Sequence, residues 1–277
     1  MIALSVNLNK IALLRNSRSG NHPSVIEFAK RSLDAGANGI TIHPRPDGRH
    51  IRDHDVKQLS QFLKRCRAQN EAAIEFNIEG NPFAPAGNNG NPYAGLLAYA
   101  ELLSPDQVTL VPDGDGQLTS DHGFNLTRDA ENLAPLIERF QAAGCRVSLF
   151  MDADAEQMSL AREVGADRIE LYTGPFAWAK TPALQRKIFA KHCDAALAAH
   201  EAGLAVNAGH DLDLENLLIY RKLPHLEEVS IGHGITMDAL LYGWHDTLAR
   251  YRAALDGKTS DQQDTAIVCA ESISVRG

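Results

Sequence analysis

Histidines and carboxylates recur at one end of the predicted β-strands of this 277-residue chain. His43 follows the apolar run ITI, while Glu170 and His210 stand in the runs IELY and VNAGH. Histidine and carboxylate side chains act as general acids and bases when their surroundings bring the pKa toward neutrality. This set of residues predicts a catalytic site at that end of the strands.

The third predicted strand, AAIEFNI from Ala72, leads to polar residues at every second position, with Glu75, Asn77 and Glu79 on one face. The apolar residues between them can pack against helices, which turns the carboxylates toward the interior. A buried carboxylate is costly unless it is paired or functional. We therefore predict that Glu75 is catalytic, with a structural ion pair as the alternative.

The segment ITIHPRPDGRH, from Ile40 to His50, joins a strand to a stiff, cationic loop. Proline limits the backbone, and arginine presents a planar fork that suits carboxylate and phosphate groups. We expect Arg45 and His50 to hold an anion beside His43. Taken alone, His43 could equally be a hydrogen-bonded histidine at a strand end.

Eight strand patterns alternate with helical patterns, many of which end in glycine just before the next strand. This alternation over about 250 residues is typical of a (β/α)8 TIM barrel. The alternative, an open doubly wound sheet, needs a glycine-rich turn after the first strand, and VNLNKIA has none. We predict one barrel domain over residues 1–255, and a tail over 256–277 that is loosely ordered or used in an oligomer contact. The strand patterns lie near Ile2, Gly39, Ala72, Gln107, Arg146, Arg168, Leu204 and Glu228.

A barrel places its active site at the C-terminal ends of its strands. The first strand delivers Asn7 and Asn9 there, and the eighth delivers Gly232 and His233. The loops after the last two strands of a barrel commonly bind phosphate through backbone N–H groups, which Gly209 and Gly232 would permit. A plain tight turn would also need glycine.

The composition of the chain narrows the classes of partner and site that we expect. The chain has 27 Lys and Arg against 35 Asp and Glu, a net charge of -8, which argues against nucleic acid or an anionic membrane as the main partner. No apolar run approaches the roughly 18 residues of a membrane span, and the N-terminus lacks a signal-peptide pattern. The four cysteines show no CxxC spacing, and the histidines no HExxH or HxH pattern, so we expect reduced thiols in a cytoplasmic protein and no metal site.

Ordered motifs then resemble one family, the pyridoxine 5′-phosphate synthases called PdxJ, over roughly residues 2–252. The resemblance implies condensation of 1-deoxy-D-xylulose 5-phosphate with 3-amino-2-oxopropyl phosphate, without a metal or organic cofactor, in a homo-oligomer that is an octamer in the family. The motifs are VNLNKIALLRNSR, GITIHPRPDGRHI, IEFNIEGNP, QVTLVPD, VSLFMDAD, IELYTG, VNAGHDL and SIGHG.

The resemblance also implies roles for individual residues. By motif, His43 and Glu75 match proton acceptors, His210 a proton donor and Glu170 a group that stabilises the transition state. The residue after His210, Asp211, matches a phosphate-loop position. Contacts to the aminoketone phosphate are implied for Asn7, Arg18, Gly232 and His233, and contacts to the sugar phosphate for Arg45, His50 and Thr119.

The chain departs from the commoner family pattern in several places. The loop after the fourth predicted strand carries Asp113-Gly-Asp-Gly rather than a basic stretch. Asn9 and Lys10 replace an Asp-His pair, and Asp211 replaces a glycine. Lys10 could hydrogen-bond the sugar phosphate, and the backbone N–H of Asp211 could serve the phosphate loop if its side chain turns away. Two alternatives remain: a barrel lyase, aldolase or isomerase that forms a Schiff base on Lys10, and a non-catalytic barrel that binds phosphate esters.

Overall fold

Parallel strands alternate with helices along the computed structural model, which describes residues 1–70, 73–87, 92–114 and 116–258. Each strand lies where the sequence pattern predicts one, although the third begins at Glu75 rather than near Ala72. The strands are β1 (Ala3–Asn7), β2 (Gly39–Ile42), β3 (Glu75–Gly80), β4 (Gln107–Leu110), β5 (Arg146–Met151), β6 (Arg168–Tyr172), β7 (Ala205–His210) and β8 (Leu226–Ile231).

Within the described residues these strands close into one barrel in chain order. The closing pair is β8 with β1, which run parallel with Leu4 opposite Val229 and Val6 opposite Ile231. A doubly wound sheet would keep two unpaired edges, whereas closure pairs every strand on both sides. The predicted (β/α)8 barrel is therefore confirmed, and the open-sheet alternative is excluded.

Helices follow the strands and begin and end at residues suited to those positions. The hydroxyl of Ser24 caps one helix by accepting the N–H of Glu27. Gly144 and Gly203 follow two others with φ of +88° and +80°, a conformation that glycine adopts without strain. The helices are α1 (Asn9–Asn16), α2 (Val25–Asp34), α3 (Asp53–Asn70), α4 (Leu96–Leu103), α5 (Leu126–Ala142), α6 (Met158–Glu163), α7 (Gly174–Ala177), α8 (Pro182–Glu201), α9 (Leu217–Tyr220), α10 (His233–Tyr242) and α11 (Trp244–Asp256).

The last described helix, α11, ends at Asp256, and the described part of the chain ends at Lys258. The predicted tail over 256–277 lies outside the described residues from 259 onward. Across the described ranges, no helix combines the length and hydropathy needed to cross a bilayer. Cys66, Cys145 and Cys193 are free thiols, and Cys269 lies outside the described residues.

Polar side chains fill the middle of the barrel, as the alternation in β3 predicts. Ser5 and Thr41 share a hydrogen bond of 2.7 Å between their hydroxyl oxygens. Asn77 donates to the hydroxyl of Thr41 at 3.4 Å and accepts from Thr109 at 3.1 Å. A connected network of this kind satisfies polar groups that would otherwise be costly to bury. The intervening side chains form the core outside the barrel, among them Ile40, Ile42, Phe76 and Ile78.

A layer of charged side chains closes the N-terminal end of the barrel, and Glu75 belongs to it. Glu75, the first residue of β3, forms an ion pair with Arg146, the first residue of β5. Burial and the neighbouring Glu75 raise the pKa of Glu228 well above its usual value. The structure therefore corrects the predicted position of Glu75, because it lies at the end of β3 opposite to the C-terminal rim.

A buried ion pair fixes the cationic loop that follows β2. Arg15 on α1 is almost fully buried and binds both carboxylate oxygens of Asp55, at 2.5 and 2.8 Å. It also donates to the carbonyl of His50, while the Asn16 amide donates to the carbonyls of Arg49 and His50. Two-pronged Arg–carboxylate contacts are geometrically specific. The loop backbone is thereby held by the first helix.

Candidate active site

A cavity of about 290 Å³ opens at the C-terminal ends of the strands. This is the end at which barrels carry their chemistry. Apart from Glu75 and Arg18, every predicted site residue lines it. Those residues are Asn7, Asn9, Lys10, His43, Arg45, His50, Thr119, Glu170, His210, Asp211, Gly232 and His233.

His43 lies just beyond β2 with its ring buried in this cavity. Its backbone N–H donates to the side-chain oxygen of Asn9 at 2.8 Å, which fixes the end of the strand. Its Nδ1 lies 3.9 Å from Glu79 Oε2, and its Nε2 lies 3.8 Å from Asp113 Oδ2. Burial, followed by the nearby Arg45 charge, lowers the pKa of His43 to about 3. The imidazole is therefore neutral at physiological pH.

Glu79 is the carboxylate that β3 delivers to the cavity. Asn7 donates to its Oε2 at 3.2 Å, and the Ser230 hydroxyl lies 3.5 Å from its Oε1. Burial and the charge of Asp113 raise the pKa of Glu79 to about 8, against the smaller opposing effect of the two hydrogen bonds. Glu79 therefore holds a proton near neutral pH and can both give and take one.

Glu170 reaches the cavity from β6. Burial, together with the neighbouring Glu79 and Glu228, raises its pKa well above the usual value. A side chain at Gly209 on the adjacent strand would place its Cβ 2.0 Å from Glu170 Oε1. Glycine at 209 therefore makes room for this carboxyl group, a role different from the phosphate-loop role that the sequence suggested.

The cationic loop after β2 is bound to the loop after β4. Arg45 donates to Asp113 Oδ2 at 2.7 Å and to the carbonyl of Gly114 at 3.0 Å. Arg49 donates to the carbonyls of Gln117 and Leu118 at 2.8 and 3.0 Å. Charge-assisted contacts of this kind are among the stronger hydrogen bonds. The two loops thus form one wall of the cavity.

His50 lies on the same wall as a neutral imidazole. Burial, and then the neighbouring His43 and Arg45, lower its pKa to about 2. The N–H of Ile51 donates to His50 Nδ1 at 2.9 Å, so the ring proton of the neutral form lies on Nε2. Nε2–H is a hydrogen-bond donor suited to an anion.

His210 lines the cavity from the end of β7. Its Nδ1 lies 2.7 Å from Asp211 Oδ2, and its Nε2 lies 2.7 Å from the hydroxyl oxygen of Thr119. The ring of Tyr172 meets it edge to face at a centroid distance of 5.4 Å. The backbone of His210 has φ of +96°, which is uncommon for a residue with a side chain and marks local strain.

The rim beside His210 is formed by Lys10 and the N-terminus of α10. Gly232 and His233 begin that ten-residue helix, whose first backbone N–H groups lack intrahelical partners. Burial, and then the Lys10 charge, lower the pKa of His233. Within the described residues the Lys10 ammonium makes no hydrogen bond or ion pair.

No group of three or more His, Cys, Asp or Glu side chains among the described residues is placed to hold a metal ion.

The family relationship agrees with this geometry. Residues 4–257 match the family model described as pyridoxal phosphate biosynthesis protein PdxJ. The chain belongs to the PdxJ family. It is thus similar to enzymes of vitamin B6 biosynthesis, and we describe it from here on as a PdxJ-family enzyme.

Curated relatives named pyridoxine 5′-phosphate synthase cover most of the PdxJ-family chain. One from Xanthomonas campestris pv. campestris (strain B100) is 51% identical over 255 residues, 92% of this chain and 96% of the relative. One from Xanthomonas oryzae pv. oryzae (strain MAFF 311018) is 50% identical over 257 residues, 92% and 97% of the two chains. One from Xylella fastidiosa (strain M23) is 49% identical over 254 residues, 91% and 94%.

Solved structures with low sequence identity share the barrel. The phosphoribosylanthranilate isomerase of Thermotoga maritima matches with a TM-score of 0.52 at 14% identity, over 93% of this chain and all of that one. A 4-hydroxy-2-oxoglutarate aldolase matches with a TM-score of 0.51 at 13% identity, over 91% and 94% of the two chains. At such identities the likeness shows the fold alone.

Two predicted site residues of this PdxJ-family enzyme lie outside the cavity. Glu75 is in the charged layer at the other end of the barrel. Arg18 lies beyond α1, is exposed, and donates to the carbonyl of Ser17. The described position of Arg18 therefore agrees with the solvated surface arginine that a lone arginine usually is.

The structure also brings in residues to which the sequence analysis gave no role. Glu79, Asp113 and Arg49 all line the cavity. A signal existed for Glu79, which shares a face with Glu75 but lies nearer the C-terminal end of the strand. No periodicity pointed to Asp113 or Arg49, because both lie in loops whose path depends on tertiary contacts.

The raised pKa of Glu79 predicts a pH-dependent stability difference. Its pKa is about 8 in the folded chain against an ordinary 4.5, so unfolding releases its proton between these values. The protonated form of Glu79 stabilises the native chain, and this stabilisation is lost as the pH rises through this window. The glutamine side chain in Glu79→Gln does not titrate, so the variant does not show this loss. Urea unfolding from about pH 5 to about pH 9 should show Glu79→Gln gaining stability relative to the wild type.

The control is Glu131→Gln, which makes the same substitution at an exposed helical position on α5. A pH trend shared by both variants would report on something other than the barrel interior. A stability difference for Glu79→Gln that stays constant with pH would contradict the raised pKa.

Proposed function

We propose that this protein is a pyridoxine 5′-phosphate synthase. It condenses 1-deoxy-D-xylulose 5-phosphate with 3-amino-2-oxopropyl phosphate and releases pyridoxine 5′-phosphate, phosphate and water. The observation that carries the proposal is a buried set of proton-transfer groups, His43, Glu79, Glu170 and His210, around one cavity of a PdxJ-family barrel.

The chemistry needs several such groups. An amine adds to a ketone, carbinolamines lose water, and a carbon is deprotonated before the ring closes. Each step moves a proton, and side chains that titrate near the working pH transfer protons best. Groups in one buried cavity can share these transfers without exchange with bulk water.

We assign to Glu79 the proton-transfer role that the motif match gave to Glu75. Glu79 faces the cavity, has a pKa of about 8 and lies 3.9 Å from His43. In its protonated form it can donate to a departing hydroxyl group, and the resulting carboxylate can then accept a proton from carbon. Glu75 supports the fold through its ion pair with Arg146.

His43 serves as the partner of Glu79 in these transfers. Its low pKa has burial as its first cause and the Arg45 charge as its second. A phosphate dianion bound at Arg45 would offset that charge and raise the pKa of His43 toward the range of a working base. Substrate binding would thereby activate the base.

Two regions of the cavity suit the two phosphates. On one wall Arg45 and His50 Nε2–H offer donors for the sugar phosphate, and Thr119 lines the same cavity. On the rim, the backbone N–H groups at Gly232 and His233 begin α10, and a helix N-terminus favours an anion. The Lys10 side chain adds a positive charge to the same rim.

We further propose that the chain acts in the cytoplasm as a homo-oligomer, an octamer as in the family. Exposed apolar side chains on two neighbouring helices support self-association, with Leu240 and Leu241 on α10 and Leu14 on α1. Exposed large apolar side chains of this kind favour a protein contact. Sedimentation velocity measures the assembly.

The proposed reaction is tested by mixing the purified protein with the two phosphates and following pyridoxine 5′-phosphate fluorescence together with phosphate release. The decisive comparison is Glu79→Gln with Glu75→Gln, the same substitution on one strand face at opposite ends of the barrel. We expect Glu79→Gln to lower kcat by about 10²- to 10⁴-fold, because a proton-transfer group is lost. Glu75→Gln should keep kcat within about 5-fold and lose thermal stability instead.

A reversed pattern, with Glu75→Gln inactive and Glu79→Gln active, would contradict the assignment. If the wild-type protein forms no product but binds both phosphates, the non-catalytic barrel becomes the better reading. If borohydride traps a substrate on the wild type but not on Lys10→Met, the Schiff-base lyase or aldolase replaces the synthase.

A second prediction concerns the anion wall. Arg45→Ala should raise KM for 1-deoxy-D-xylulose 5-phosphate by about 10- to 100-fold, because a charged hydrogen bond is lost and Asp113 keeps its negative charge there. KM for the aminoketone phosphate should change by less than about 3-fold. Steady-state kinetics with each substrate varied in turn measures both.

The double variant Arg45→Ala/Asp113→Asn separates the two causes. It should recover part of the lost affinity, because it removes the repulsion between Asp113 and phosphate. Unchanged KM values for both substrates in Arg45→Ala would contradict the placement of the sugar phosphate on this wall.

A further inference from the structure

Asp211, His210 and Thr119 form a chain of hydrogen bonds at the cavity. The carboxylate of Asp211 meets His210 Nδ1 at 2.7 Å, and the Thr119 hydroxyl meets His210 Nε2 at 2.7 Å. The side chains of Asp211 and His210 are both largely buried, with 13% and 19% of their surfaces exposed. The imidazole is thus held at both nitrogens.

The carboxylate decides which nitrogen carries the proton of the neutral ring. An ionised carboxylate only accepts hydrogen bonds, so Nδ1 must be the donor to Asp211. Nε2 then has a lone pair and accepts from the Thr119 hydroxyl on the cavity side. The atom that faces the cavity is therefore the one that gains and returns a proton.

The backbone of Asp211 is engaged elsewhere. Its N–H donates to the hydroxyl of Thr173 at 3.2 Å, and its carbonyl accepts from the Asn216 amide at 3.0 Å. These contacts hold the chain next to the strained backbone of His210. The N–H of Asp211 is therefore already occupied, and its side chain is the group that contacts the His210 ring.

We propose that Asp211 is a positioning residue for the proton transfers of His210. Its carboxylate fixes the ring orientation and the Nδ1–H tautomer, and it stabilises the positive charge that the ring carries once Nε2 is protonated. This inference rests on the proposed function only in so far as His210 exchanges protons with the substrates of that reaction.

Lys10 and Asp211 lie at the same rim of the cavity, beside His233. The pKa of His233 is lowered by burial and then by Lys10, and it is raised by Asp211. Both charges therefore act on the same imidazole, in opposite directions. A cation at position 10 can therefore balance an anion at position 211.

The test compares Asp211→Asn with Asp211→Ala. The asparagine amide keeps the shape of aspartate but can donate to Nδ1, which moves the proton of the neutral ring to Nε2. Alanine leaves Nδ1 to solvent and allows both tautomers. We therefore expect Asp211→Asn to lower kcat by about 10²- to 10³-fold and Asp211→Ala by about 10-fold, with KM changed by less than about 3-fold in each.

The tautomer itself is measured without turnover. Histidine ¹⁵N chemical shifts of labelled protein, with the His210 signals assigned by their loss in His210→Gln, distinguish Nδ1–H from Nε2–H. The wild type should show Nδ1–H, Asp211→Asn should show Nε2–H, and Asp211→Ala should show a mixture. Because this readout needs no substrate, it tests the positioning role even if the protein lacks synthase activity.

Asp213→Asn is the matched control. Asp213 lies in the same loop and accepts N–H bonds from Glu215 and Asn216 rather than from His210. It should keep kcat within about 3-fold and leave the His210 ¹⁵N signals unchanged. A kcat in Asp211→Asn equal to that of the wild type, or a His210 tautomer that is the same in all variants, would overturn the proposal, as would Asp211→Asn being milder than Asp211→Ala.

Discussion

The burial of carboxyl groups inside a closed barrel is the constraint on which this site depends. Closure pairs every strand edge and directs alternate side chains into an interior from which water is largely removed. A carboxylate there is unfavourable unless a cation meets it or a proton neutralises it. Glu75 meets Arg146 at one end, whereas Glu79 at the other end faces Asp113 and keeps a proton. One strand thus supplies a structural ion pair and the carboxyl group to which we assign proton transfer.

Neighbouring charges tune the remaining groups in the same way. Burial and then the Arg45 charge lower the pKa of His43, and burial and then Glu79 raise the pKa of Glu170. The loop that carries Arg45 is held in turn by the buried pair of Arg15 and Asp55. The first helix therefore helps to fix the position of Arg45 in the cavity. It does so through a few charged contacts, each of which has a specific geometry.

Much of this arrangement could be predicted from the sequence, because periodicity reports which face a side chain occupies. The alternation in β3 placed Glu75 and Glu79 on one face, and the structure confirms it. The predicted strand began near Ala72, whereas β3 begins at Glu75, so Glu75 lies at the N-terminal end of the strand and not near the C-terminal rim. Strand boundaries are set by pairing with neighbours, which one sequence does not display. The contacts of Asp113 and Asp211 likewise depend on loops brought together by the fold.

The measurement that tests this account most directly is an infrared pH titration of the wild type minus Glu79→Gln. The account predicts a protonated carboxyl C=O band in the difference spectrum at neutral pH, which disappears as the pH rises through about 8. Carboxylate bands that already replace it near the ordinary pKa of 4.5 would contradict the claim that the barrel interior keeps Glu79 protonated.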